Sequence, residues 1–144
     1  MTVMSFKVSD YMETSFLVTS FETPIHEAAC MIADGVHDLI VVMEKGIPKG
    51  FVSAANIVSK VIAAGSDPVN IRVRDVMTTS CSTISPDDDL MQASEIIRGG
   101  ATLLLVVKNG IFYGVVTPTT IALRFGEYVD TAIRDVIRNL SIFR

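Results

Sequence analysis

Two unbroken apolar runs, LIVVM (Leu39 to Met43) and LLLVV (Leu103 to Val107), divide the hydrophobic pattern of the chain into two similar halves. Runs of this kind predict strands covered on both faces. Ahead of each lies a helical stripe at i, i+3, i+4, i+7 spacing, Ile25, Ala28, Ala29 and Ile32 in the first half and Leu90, Ala93, Ile96 and Ile97 in the second. Pro24 and Pro86 are expected in the first turn of these helices, and Gly35 and Gly100 as their left-handed C-terminal caps. The segments before the prolines, FLVTSFETP and SCSTISP, read as extended. After each apolar run comes a tight connection, EKGIPKG or KNGIFYG, in which Asn109 and Gly110 favour a two-residue hairpin turn. A second strand, FVS or VVT, then feeds a second helix, AANIVSKVIAAG ending at Gly65 or the longer PTTIALRFGEYVDTAIRDVIRNL.

The pattern is a duplication. GFVSAANI (Gly50 to Ile57) returns as GVVTPTTI (Gly114 to Ile121), and FKVSDYM returns as IRVRDVM, with Val8, Asp10 and Met12 recurring 65 positions later as Val73, Asp75 and Met77. The offset falls to 64 at Gly50 and Gly114, which assigns one extra residue to the first copy's hairpin connection. Each half is a β-α-β-β-α unit of about sixty residues, too small to bury a core well by itself. The expected fold is α+β: two repeats, 1–65 and 66–144, packed sheet to sheet with pseudo-twofold symmetry, joined by the polar link SDPVNI, the second carrying a C-terminal helical extension. In that extension Ala122, Phe125, Val129, Ile133, Val136, Ile137 and Leu140 recur at helical spacings, with Arg124, Glu127, Asp130, Arg134, Asp135 and Arg138 on a polar side and Gly126 as the expected break. An amphipathic extension needs an apolar partner, either its own repeat or a second copy in a homodimer.

Composition narrows the function. With 49% apolar and 19% charged residues, the chain fills a core and leaves apolar surface for self-association. A net charge of -4, with scattered Lys and Arg, gives no footprint for a nucleic-acid backbone. The N-terminal residues lack a basic segment followed by an apolar core, and no apolar run reaches membrane-spanning length, so a cytoplasmic protein with no membrane partner is expected. Cys30 and Cys81 lack metal or redox spacing and read as buried small hydrophobes. The run Asp87, Asp88, Asp89 is read as complementing a helix dipole rather than as a metal site, because consecutive side chains fan outward.

Ser53 and Thr117 fall where a strand passes into a helix, a position whose hydroxyl either caps free backbone N–H groups or faces a ligand. No nucleophile with an evident base, no metal-ligand spacing and no Walker-type loop accompanies them, which argues against an enzyme.

The repeated V-x-D-x-M, the proline before an Ala-bearing helix, the apolar strand after GVHD and GATL, and the G-h-h-[ST]-x-x-[DN] tail together resemble a tandem pair of cystathionine-β-synthase (CBS) domains, or Bateman module, over essentially the whole chain. The resemblance implies a regulatory ligand-binding module without a required cofactor, reporting to a regulated protein partner. It implies two clefts, of which one or both take adenosine compounds, with the strand-end hydroxyl and the residue three further on holding the ribose. Carried over, these are Ser53 and Asn56 in the first copy and Thr117 and Thr120 in the second. A ribose diol suits a carboxylate or carboxamide acceptor beside a hydroxyl, and Asn56 keeps the acceptor while losing the charge. The resemblance also places His37 near phosphate, with Thr102 at the matching place, and brings Arg74, Asp75, Thr78 and Ala101 toward the adenine. Asp38 stands where some relatives carry Arg; a carboxylate about 4 Å from a phosphate costs on the order of 1 kcal/mol in water and about 4 at an effective dielectric near 20. The expected ligand is therefore AMP, adenosine, methylthioadenosine or S-adenosylmethionine rather than ATP. The competing expectation is a structural dimerisation module that has lost its ligand, favoured by the missing acidic residues at Asn56 and Thr120.

Overall fold

A computed structural model describes residues 6–141 and, within the last helix, the side chains at positions 118–123, 126, 130, 133, 134 and 136–138. Each apolar run becomes the central strand of a three-stranded sheet. In the first, β1 (Leu17–Thr19) crosses through α2 (Ile25–Ile32) to the parallel β2 (Leu39–Glu44), which turns back antiparallel into β3 (Ile47–Ser53), giving the order β1-β2-β3. The second repeats this with β4 (Ser82–Ile84), α5 (Leu90–Arg98), β5 (Leu104–Lys108) and β6 (Ile111–Val116). The α+β class and the duplication are thus both present. Ile40 to Val42 and Leu104 to Val106 are buried, as strands covered on both faces must be. The helix stripes bury Ile25 and Ala28 in one copy and Leu90 and Ala93 in the other. Gly35 and Gly100 follow their helices at φ 76° and 114°, the left-handed conformation that a residue without Cβ adopts freely.

Both hairpins close through left-handed pairs, Lys45–Gly46 and Asn109–Gly110, the backbone of a type I′ turn. Their registers match: Val42 pairs with Gly50 and Val106 with Gly114, and each ladder shifts immediately after these pairs. The connections are therefore equal in length. The extra residue of the first copy lies instead between helix and central strand, where Val36 to Leu39 does the work of Ala101 to Leu103. On strand register, Thr102 corresponds to Asp38 rather than to His37.

The V-x-D-x-M segments form two single-turn helices, α1 (Val8–Tyr11) and α4 (Val73–Val76). Val73 and Val76 pack with Ile25, Ala28, Ile40, Val42, Val52, Ile57 and Val61 in one core. Val8, with Phe6, packs with Ile84, Leu90, Ala93, Leu104, Val106 and Val116 in the other. Two compact units result, one running Ser15–Cys81 and one joining the residues up to Thr14 to those from Ser82 onward. Each central sheet is thus completed by the segment that precedes the other repeat. Backbone bonds fix the exchange: Ile25 and His26 donate their N–H groups to the carbonyls of Ile71 and Pro68, and Leu90 donates to Phe6. The first two supply the N-terminal donors of α2 with acceptors that Pro24 has no side chain to provide.

Three expectations change. Pro24 is the residue flanking α2, but Pro86 lies four residues before α5, in a turn closed by the Asp88 carboxylate accepting from the Ser85 N–H, and the helix starts after Asp89 instead. Asp89 caps α5 by accepting from Met91 N–H at 2.7 Å, a role proline cannot fill. The final helix, α6 (Pro118–Ser141), runs unbroken through Gly126, where a Cβ would meet open space. Cys30 is exposed on α2, its Sγ 3.8 Å from His26 Nε2; only Cys81 is half-buried, and burial pushes its thiol pKa up. Of the α6 pattern, the side chains of Arg124, Phe125, Glu127, Val129, Asp135 and Leu140 lie outside the described residues. Leu123, Ile133, Val136 and Ile137 are exposed.

Candidate functional site

The end of β3 passes into a four-residue helix, α3 (Ala54–Ile57), which continues through a π-turn at Val58–Ile62. Ser53 caps it: its Oγ accepts from the Asn56 N–H at 3.0 Å while its own N–H donates to Asn56 Oδ1 at 3.2 Å. This reciprocal box satisfies two donors at once. The residues after α4 reach the same place. Thr78 pairs its N–H and carbonyl with those of Phe51, at 2.8 and 3.0 Å, and its hydroxyl donates to Asn56 Oδ1 at 3.3 Å. Gly50 makes the approach possible, since a Cβ there would run into the Thr78 carbonyl and lie 2.7 Å from Met77 Cε. Ser53, Asn56 and Thr78 are therefore one half-buried polar group. Asn56 Oδ1 takes two donors within it, and among the described residues the Nδ2 has no protein partner. Lys60, on the π-turn, donates to the Val76 carbonyl at 3.2 Å and so ties the π-turn to α4, two residues before the Thr78 strap.

The remaining residues singled out in this unit point elsewhere. His37 Nδ1 lies 2.9 Å from Asp34 Oδ2, and the N–H groups of Val36 and His37 both donate to Asp34 Oδ1. These three bonds, the His37 contact first, hold the Asp34 carboxyl down at a pKa of about 2. Asp38 is exposed, and its carbonyl accepts the Ala54 N–H at 3.0 Å. Arg74 Nη1 pairs with Glu22 Oε1 at 2.7 Å, both side chains being mostly exposed, and Arg72 donates to the Glu22 carbonyl. Asp75 accepts from the Arg72 N–H at 3.0 Å. None of His37, Arg74 and Asp75 bonds to the Ser53–Asn56–Thr78 group. Ala101 belongs to the other unit, half-buried against its core.

In that other unit Thr117 and Thr120 rebuild the box: each N–H meets the other's hydroxyl at 3.2 Å, and the two hydroxyls lie 3.2 Å apart. Thr120 is buried, with 1% of its surface exposed, so its single oxygen is turned inward on Thr117. Thr102 is exposed in the loop before β5. Pro118 stands where Ala54 stands in the first copy and removes the N–H that Ala54 gives to Asp38. The strap is present too. Glu13 pairs both ways with Val115, at 2.8 and 3.0 Å, as Thr78 pairs with Phe51, and a Cβ on Gly114 would lie 2.6 Å from the Glu13 carbonyl. Glu13 lies 65 positions before Thr78, the offset already set by Val8, Asp10 and Met12, and that count alone marks it in the sequence.

The three consecutive aspartates divide their work. Asp87 pairs with Lys108, which lowers its own pKa and raises that of the lysine; Asp88 closes the Ser85 turn; Asp89 caps α5. Among the described residues no three His, Cys, Asp or Glu side chains gather to hold a metal, and no helix is long and apolar enough to cross a membrane.

Comparison with known proteins agrees with this architecture. The CBS domain family model matches residues 8–63 and again 73–127. An uncharacterized protein of Methanopyrus kandleri is 28% identical over 122 residues, covering 83% of this chain but only 62% of that longer protein. Among solved structures, a CBS-domain containing protein from Agrobacterium tumefaciens superposes with a TM-score of 0.72 at 21% identity, covering 81% of this chain and 96% of that one. The hexameric CBS-CP12 protein of bloom-forming cyanobacteria also gives 0.72, at 17% identity over 92% and 81%. With two matched repeats, two like sheets and the exchanged V-x-D-x-M segments, the chain belongs to the CBS domain family as a tandem pair.

Proposed function

We propose that this chain is a regulatory module, not an enzyme, that holds an adenosine-type ligand against Ser53, Asn56 and Thr78 and reports its presence to a protein partner in the cytoplasm. The observation that carries this reading is the convergence of strand end, helix start and strap on one amide, with Asn56 Nδ2 unpartnered among the described residues beside two hydroxyls. Such a group offers donors and acceptors to the vicinal hydroxyls of a ribose.

The electrostatics favour a ligand with little negative charge. Glu22 engages both cations on the segment leading to Thr78, pairing with Arg74 through its carboxylate and accepting from Arg72 at its carbonyl, and Asp38 brings an exposed carboxylate to the loop that holds the Ala54 N–H. AMP, methylthioadenosine and S-adenosylmethionine therefore fit better than ATP. His37, held by Asp34, remains the candidate for a single phosphate. A thermal-shift series with these compounds tests the reading: at 100 times its dissociation constant a bound ligand adds about 2.7 kcal/mol of stability. No shift with any of them contradicts it.

A second reading is a structural pairing module that has lost its ligand. It is favoured by the saturation of Asn56 Oδ1 within the protein and by the inward turn of Thr120. Either reading includes a homodimer, supported by the exposed Leu123, Ile133, Val136 and Ile137 on α6. Deleting residues 130–144 and measuring mass by light scattering checks the interface: loss of the dimer is expected, and an unchanged dimer contradicts it.

A further inference from the structure

The duplication does not give the two units the same chemistry. In the unit Ser15–Cys81 the strap residue beside Asn56 is Thr78, which is neutral. In the other unit the residue at that place is Glu13. Its main chain is fixed as firmly as that of Thr78, by two bonds to Val115 and by the close approach to Gly114. At the matching place the Thr78 side chain leaves the strap and reaches Asn56, the residue three past the strand-end hydroxyl, at 3.3 Å. Glutamate extends further than threonine. Glu13 is half-buried, and among the described residues its carboxylate has no hydrogen-bond or ion-pair partner. Thr120 does not engage it, because its hydroxyl lies on Thr117.

We propose that Glu13 is the ligand-contacting, specificity-determining residue of a second site, in which its carboxylate takes the acidic role that Thr120 cannot fill. The chemical class this selects is a neutral or cationic nucleoside. The carboxylate accepts from vicinal hydroxyls or attracts a cationic tail, and it repels a phosphate. The inference rests on the adenosine reading above but adds a residue and a charge preference to it. The acid that the first copy lacks at Asn56 and the second lacks at Thr120 enters the second from a different strand.

Calorimetric titration of the full chain with methylthioadenosine and with S-adenosylmethionine tests it, using Glu13→Gln, Glu13→Thr and Asn56→Ala. The wild type is expected to bind two equivalents. Glu13→Gln and Glu13→Thr should each weaken one of them at least tenfold, with the larger loss for S-adenosylmethionine, while the other keeps its affinity; Asn56→Ala should weaken the other. Thr78→Glu supplies the converse readout, a gain in preference for S-adenosylmethionine over methylthioadenosine at the first site, and it holds even if a Glu13 variant folds poorly. Two equivalents unchanged by Glu13→Gln would overturn the proposal. So would a single equivalent lost only in Asn56→Ala, which leaves the adenosine reading standing. No binding of either compound to the wild type overturns both.

Discussion

The Thr78 hydroxyl donates to Asn56 Oδ1 across 3.3 Å, although 22 residues and a whole helix separate the two in sequence. The same oxygen receives the Ser53 N–H, so one amide joins a helix cap to a strap. Replacing Asn56 with Ala removes the one acceptor that both donors share and is expected to cost about 1 kcal/mol, the usual worth of such a cap. Asn56→Asp keeps an acceptor in place and should stay within about 0.5 kcal/mol of the wild type by the same measure. Urea denaturation of the two variants checks this; equal destabilisation by both would show that the amide nitrogen, not the oxygen, carries the local structure.

Gly50 and Gly114 are predicted to resist even a methyl group. At Gly50 the obstacle is the Thr78 carbonyl and at Gly114 the Glu13 carbonyl, and in both cases backbone must move. Gly50→Ala and Gly114→Ala should each cost about 1–3 kcal/mol, as overpacking does, a fall of roughly 2–4 °C per kcal/mol for a chain of this size. Gly126→Ala, in open space on α6, should instead stabilise the helix by about 0.5–1 kcal/mol. Melting curves showing the same change at all three positions would contradict the strap geometry.

The exchange of V-x-D-x-M segments predicts which sheet each valine supports. Val73→Ala should cost about 2 kcal/mol, two buried methyl groups plus a small cavity, and lower amide-exchange protection at Ile40 to Val42, the core strand it packs against. Val8→Ala should do the same at Leu104 to Val106. Protection lost at the strand of each valine's own sequence repeat would refute the exchange.

Asp34 gives a pH signature. Its three bonds to the Val36–His37 loop depress the carboxyl from 3.8 to about 2, so the folded form is favoured by this group above its ordinary pKa. That contribution is complete above about pH 4 and is lost as the pH falls through the folded-state value. Carbon-detected titration of the side chain should find a midpoint near 2; a midpoint near 4 would mean the loop tether is absent in solution.

Much of this was open to a reading of the chain. Period-3.6 stripes and unbroken apolar runs locate α2, α5, β2 and β5, because burial writes itself into local spacing. The hydroxyls at Ser53 and Thr117 are legible for the same reason: a helix start needs an acceptor wherever it occurs. Pairings distant in sequence leave no such trace. Pro86 stands 62 positions after Pro24, whereas Ile25 and Leu90 are 65 apart, so the spacing itself matches Pro24 to Asp89, the residue that caps α5, and not to Pro86. The one-residue change of offset is visible, but its position between Gly35 and Ile40 needs the strand register. Cys30 misleads because small apolar residues suit a core, whereas its position on α2 faces outward. Glu13 carries the repeat offset plainly; what it stands beside becomes clear only once Phe51 and Val115 are seen to pair with the two straps.

The central claim is that the polar group at Ser53, Asn56 and Thr78 binds a weakly charged adenosine compound, and competitive calorimetry with AMP, S-adenosylmethionine, methylthioadenosine and ATP measures it most directly. Saturable binding is predicted for at least one of the first three, with ATP weaker and the affinity reduced at least tenfold in Asn56→Ala. Absence of binding by all four, or ATP binding tighter than the others by tenfold, would contradict the account.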